Sequence, residues 1–302
     1  MPLFRKQYTF FFLILFSVFV QSQTKEEVQK LHTDFKQLYH TNFEKAHQNA
    51  TQSLTFSKQL ADSTLLLYSY QNLSKILYLQ GNNKAAKDTL SKSIALAKTL
   101  KKESVLSNLY NTLGSVEKEN NNSILALRHY EYALDLAKKN ELSKEILDIN
   151  NNLARLYADI EDDENAQKIL RTNIRDAQTN KDTILLAEAY NILGTIEYDI
   201  DSALSLLNKA LGLSKQIDNK YLRGVITSNL GDTYLDKEGE ELTALSYLQE
   251  SEKISTQIGD NASLHHINIS LGIYYERNKN FKEAIKKYKK AIGTYGSFVS
   301  DY

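Results

Sequence analysis

Between Leu106 and Asn140 the apolar residues fall into two helical stripes separated by a polar break. Leu106, Leu109, Tyr110, Leu113 and Val116 recur at steps of three and four, which places them on one face of a helix. Asn120-Asn121-Asn122 interrupts the pattern with a turn composition. Ala126, Tyr130, Ala133 and Ala137 then mark a second stripe. Gly114 on the first helix and Ala126 on the second are small enough for the two helices to approach closely, with Tyr110, Leu113 and Tyr130 supplying bulk around them. A helical hairpin of this size cannot bury both apolar faces alone, so the pattern predicts several stacked copies.

The copies are present. Leu113-Gly114 recurs as Leu73-Ser74, Leu153-Ala154, Leu193-Gly194, Leu230-Gly231 and Leu271-Gly272. The small residue of the second helix recurs as Ala46, Ala86, Ala126, Ala166, Ala203, Ala244 and Ala284, about 40 residues apart, with a short step into Ala203 and a longer one into Ala244. The short step predicts a tight turn at Asp199-Ile200-Asp201. Asp62, Asp182, Asn219 and Asp260 each precede their Leu by the same interval, where a side-chain oxygen caps a helix start.

Tyr110, Leu113-Gly114, Ala126, Tyr130 and Ala133 resemble the tetratricopeptide-repeat pattern W-x2-L-G-x2-Y…A-x3-F, and Asn268–Ala291 resembles it best. The resemblance implies an all-α, right-handed superhelical solenoid of helix-turn-helix repeats. The spacing here is longer than the family's usual 34 or so residues, and the Pro that usually closes each repeat is missing, since Pro2 is the only proline. Six repeats are expected over residues 62–293. A polar helix pair over 23–61 reads as an N-terminal cap or a degenerate repeat, with its outer face in water. The last second helix is expected to end at Gly293, leaving a tail over 294–302 and an uncovered face at Ile285, Tyr288 and Ile292.

Composition narrows the function classes. Lys+Arg and Asp+Glu both number 37, so no net field favours nucleic acid or an anionic membrane. The chain has no Cys, which excludes disulfides, thiol catalysis and Cys-ligated metal. Arg5 and Lys6 precede an apolar run from Tyr8 to Val20, followed by Gln21-Ser22, the order of a cleaved secretory signal peptide over residues 1–22. The run is shorter than the roughly 20 residues a spanning helix needs, so no membrane span is expected in the mature chain. The expected location is periplasmic or secreted, in a Gram-negative bacterium.

No motif points to a cofactor or a metal. His265 and His266 are adjacent and splay about 100° apart on a helix, which does not suit a shared ion. Glu161 to Glu164 reads as a turn and helix start. The resemblance implies that first helices line a concave groove. Facing it are amides one or two residues before the motif Leu, namely Gln71, Asn72, Asn111, Asn151, Asn152, Asn191 and Asn229. Such a row of donors and acceptors suits an extended peptide backbone. Tyr68 and Tyr198 add aromatic anchors, and Lys75, Arg155 and Asp232 add charge. The function expected is non-enzymatic binding of a protein or peptide partner by an envelope adaptor. The alternative is the sensory ectodomain of a regulator with a helix-turn-helix or kinase output. Self-association through the uncovered C-terminal face is a third possibility to test.

Overall fold

The computed structural model describes residues 25–217 and 219–299. The expected signal peptide lies outside the described residues. The described chain is entirely α-helix and turn. Helix α1 spans 25–38. It is followed by α2 (Phe43–Gln59), α3 (Ser63–Leu79), α4 (Asn83–Thr99), α5 (Glu103–Glu119), α6 (Ser123–Lys139) and α7 (Ser143–Asp159). Then come α8 (Asp163–Asn180), α9 (Thr183–Thr195), α10 (Ile200–Gln216), α11 (Lys220–Leu235), α12 (Glu241–Ile258), α13 (Asn261–Arg277) and α14 (Phe281–Val299).

Several helix starts are set by side-chain caps. Asp62 accepts from the backbone N–H groups of Thr64 and Leu65, Asp182 from Leu185, Asn219 from Leu222 and Asp260 from Ser263. Each satisfies donors that a helix N-terminus leaves without a partner. The ends of α2 to α8 are each set by one left-handed residue. Ala61, Gly81, Lys101, Asn121, Glu141, Glu161 and Lys181 all have positive φ, one every 20 residues. At Gly81 the turn closes with Gly81 N–H donating to Tyr78 O at 2.8 Å and Asn82 N–H to Leu77 O at 2.9 Å, a Schellman-type stop. Most of these positions carry a side chain at a cost of about 1–2 kcal/mol each, so packing of the hairpins, not glycine, enforces the turns.

The helices form two layers. Odd-numbered helices from α3 to α13 pack on the next odd-numbered helix as well as on their hairpin partners, while even-numbered helices pack on the odd ones to either side. The result is a superhelical solenoid with first helices inside and second helices outside. Close approach within hairpins depends on the small residue after the motif Leu. A Cβ on Gly114 would lie 2.6 Å from the Tyr130 ring.

Two sequence expectations change in detail. The short fourth repeat loses a turn of α9 rather than tightening its loop: α9 has 13 residues where α3, α5 and α7 have 17, and Ile200-Asp201 already belong to α10, capped by Asp199. Helix α14 continues through Gly293 to Val299, because a glycine weakens a helix interior by only about 1 kcal/mol without breaking it. In the pair α1–α2, Phe35 and Phe43 are buried in a cluster with Ile258 and Tyr221. Ile285 and Ile292 are exposed as expected, whereas the Tyr288 ring lies against Gly272 and its hydroxyl donates to Glu276. No described helix is long and apolar enough to cross a membrane.

Candidate functional site

The inner wall is built from α3, α5, α7, α9 and α11, and the amides expected along it are bonded mainly to the solenoid itself. Asn111, Asn151 and Asn191 are buried. Asn152 donates to Asn111 Oδ1 at 2.9 Å, and Asn229 donates to Asn191 Oδ1 at 2.9 Å, so the amide one before the Leu bonds the amide two before the Leu of the preceding repeat. Asn111 donates to Asp148 at 2.7 Å. Asn151 donates to Leu185 O and accepts from Asn173 Nδ2, which also donates to Leu147 O. These bonds hold neighbouring repeats in register in a setting where an unpaired amide would be costly.

What remains available on the wall is charge and aromatic surface. Lys75 on α3, Asp148 and Arg155 on α7 and Glu188 on α9 are all half-buried. Arg155 donates to Asn152 Oδ1 at 3.2 Å. Burial pushes the Glu188 carboxyl up to about 7, reinforced by the Asp148 charge and opposed by Arg155, Lys75 and a hydrogen bond with Asn151. Near neutral pH this carboxyl is poised between its neutral and ionised forms. Tyr68, Gln71 and Asn72 are half-buried on α3, one end of the same wall, with Tyr68 edge-on to His32.

Tyr198, Asn229 and Asp232 are brought together elsewhere. The turn missing from α9 opens a cleft of about 590 Å³ lined by these three residues with Glu197, Asp236 and His266. Tyr198 is 82% exposed, and its hydroxyl donates to Asp163 at 2.6 Å, which fixes the ring at the cleft edge. Asp232 lies 2.9 Å from His266 Nε2, and that contact raises the imidazole above its ordinary range. Among the described residues no group of three His, Cys, Asp or Glu side chains is arranged to hold a metal ion. The expected site residues therefore form two neighbourhoods, a central charged wall and a cleft at the short repeat.

The tetratricopeptide-repeat family's sequence model matches residues 67–99, most of the α3–α4 hairpin. Solved structures extend the likeness to nearly the whole chain. A tetratricopeptide repeat protein from Parabacteroides merdae, 15% identical, aligns over 90% of this chain and 93% of its own with a TM-score of 0.50. One hairpin of this chain thus matches the tetratricopeptide-repeat model, and the whole chain shares the fold of a helical repeat solenoid. The apo form of RapI, 11% identical, aligns over 93% of this chain and 100% of its own with a TM-score of 0.64. The Rap conjugation gene regulator of plasmid pLS20, in complex with the Phr* peptide, is 12% identical and aligns over 92% and 96% with a TM-score of 0.58. At these identities the likeness concerns the fold. Compared by sequence with curated proteins, the chain finds no match.

Within this solenoid, Asp148 and Glu188, which sequence reasoning missed, share one repeat position. Five residues before the motif Leu stand Tyr68, Asn108, Asp148, Glu188, Val225 and His266. Three of these, Asp148, Glu188 and His266, are ionisable side chains at the two neighbourhoods. They are the counterparts of Lys75, Arg155 and Asp232, two residues after the Leu. Five residues before the Leu and two after it lie about two turns apart on the same helix face, and the former is about a turn below the amides.

Proposed function

We propose that the chain is a non-enzymatic scaffold that binds a protein or peptide segment of a partner on its concave wall, as an exported adaptor of the bacterial envelope. The observation that carries this reading is the concentration of Lys75, Asp148, Arg155 and Glu188 on one inner layer, half-buried and of both signs. Charged groups held in a concave, partly desolvated surface recognise complementary charges and main-chain groups more strongly than exposed ones do. Support comes from the Rap regulator that shares the fold and was solved with a peptide bound. The export part rests on the signal-like pattern of residues 1–22, and the mass of the protein recovered from a periplasmic extract tests it. A self-association route runs through α14, where Phe281, Ile285 and Ile292 are all more than half exposed.

Selection from a random peptide library against the purified chain tests the binding reading. Peptides enriched on the native protein are expected to lose at least about tenfold in affinity, roughly 1.4 kcal/mol, on the Lys75→Ala/Arg155→Ala variant. They should bind Lys92→Ala, changed on the outer helix α4, as before. Equal binding by the inner-wall variant overturns the reading.

A further inference from the structure

The turn between α1 and α2 meets the start of α11, 179 residues further along the chain. The Tyr221 backbone N–H donates to the His40 carbonyl at 3.0 Å. The Asn219 side chain lies 3.3 Å from His40 Nδ1. Asn219 Oδ1 already accepts from the Leu222 N–H at 2.9 Å, so its NH2 end faces the imidazole. His40 Nδ1 therefore accepts, and the ring is the neutral tautomer with its proton on Nε2. Beside these bonds, the Phe43 and Tyr221 rings lie 5.8 Å apart, in one apolar cluster with Phe35 and Ile258.

We propose that this turn is a latch that holds the superhelix closed across its groove and releases when His40 takes up a proton at Nδ1. Protonation sets an N–H against the Asn219 NH2 and destroys the bond. The groups around the ring make the charge still less welcome. Tyr39 packs on it with ring centroids 3.6 Å apart, Lys75 approaches from α3 and Lys144 from α7. Burial, then these two lysines, hold the imidazole down to about 4. The nearby carboxyls, Asp148 on α7 and Glu188 on α9, act on Tyr39, and Asp260 acts on Tyr221.

The sign follows from linkage. A closed-state value below that of a free imidazole means the latch is at full strength above about 6.5 and weakens as pH falls towards about 4. Glu188, held up near 7, titrates in an overlapping range with the opposite sign, so its charge must be removed to isolate His40. Opening would uncover Lys75, Arg155 and Glu188 together. The latch goes beyond the binding reading, and closure is measured without any ligand.

The chain has no native Cys, so spin labels at Thr55→Cys on α2 and Thr256→Cys on α12 report closure as a distance. In the Glu188→Gln background that distance is expected to lengthen between pH 7.5 and 4.5, with a midpoint between about 4 and 6.5. Helical circular dichroism should stay constant. Adding His40→Gln, whose amide oxygen still accepts from Asn219 but does not titrate, should abolish the shift. Tyr221→Ala should lengthen the distance already at pH 7.5. An unchanged distance in the Glu188→Gln background overturns the latch. So does an equal shift with His40→Gln, a shift that coincides with loss of helix, or a Tyr221→Ala chain as closed as its parent.

Discussion

Gly114→Ala tests the packing rule on which the whole stack depends. The added Cβ would lie 2.6 Å from both Cδ1 and Cε1 of Tyr130, well inside van der Waals contact. The ring has little room to withdraw. Tyr130 is 1% exposed, and its hydroxyl donates to Ser115 Oγ at 3.1 Å. Overpacking of this kind costs about 1–3 kcal/mol, and the fixed ring argues for the upper half of that range. Alanine returns about 1 kcal/mol of helix propensity, so a net loss of about 1–2 kcal/mol is expected. The chain already contains the remedy. Ser74 and Ala154 stand at the same spacing before Leu90 and Leu170 as Gly114 before Tyr130, and all four are buried, so these two hairpins accommodate a Cβ there. A double-mutant cycle of Gly114→Ala with Tyr130→Leu, read by urea denaturation with circular dichroism, should show a favourable coupling of about 1–2 kcal/mol. A neutral or stabilising Gly114→Ala, or two changes that simply add, would refute the reasoning.

Further outcomes follow from the charges and turns. Because Glu188 is raised to about 7, its contribution is complete below about 4.5 and is lost as pH rises through about 7, at up to about 1.4 kcal/mol per pH unit; relative to the native chain, Glu188→Gln should gain thermal stability at pH 8 and little at pH 4. Glu141, left-handed with φ 55, should be replaceable by glycine with a gain of about 0.5–1 kcal/mol, net of the entropy glycine costs, whereas Gly259→Ala at φ 79 should lose about 1–2 kcal/mol; denaturant midpoints decide both. If two copies meet through α14, sedimentation velocity should show a concentration-dependent mass that Ile285→Lys abolishes.

The hairpins were legible because their determinants are local. Leu113, Gly114, Ala126 and Tyr130 lie within a single repeat, and Asp62, Asp182, Asn219 and Asp260 each cap a helix that starts at the next residue. The family resemblance then supplied the way the hairpins stack. The site was only partly legible, because a periodic position says which way a side chain points and not whether a neighbour has claimed it. Asn151 is such a case: its amide is engaged by Asn173 on α8 and by the Leu185 carbonyl on α9, partners 22 and 34 residues away. Asp148 and Glu188 escaped notice because the inward face was read at the amides and two residues after the Leu, and not one turn earlier on the same helix. The contact between His40 and Asn219 left no periodic trace, since it depends on the pitch accumulated over several repeats. The shortened α9 was detectable as a spacing change, but only packing shows that the loss falls in the helix and opens a cleft.

The central claim is that the inner layer of first helices is where a partner segment lies. Hydrogen exchange of the purified chain, with and without a peptide selected on it, tests this most directly. The account predicts new protection in α3, α5, α7 and α9, with α4, α6 and α8 unchanged. Protection confined to the outer helices, or tight binding that protects neither layer, would contradict it.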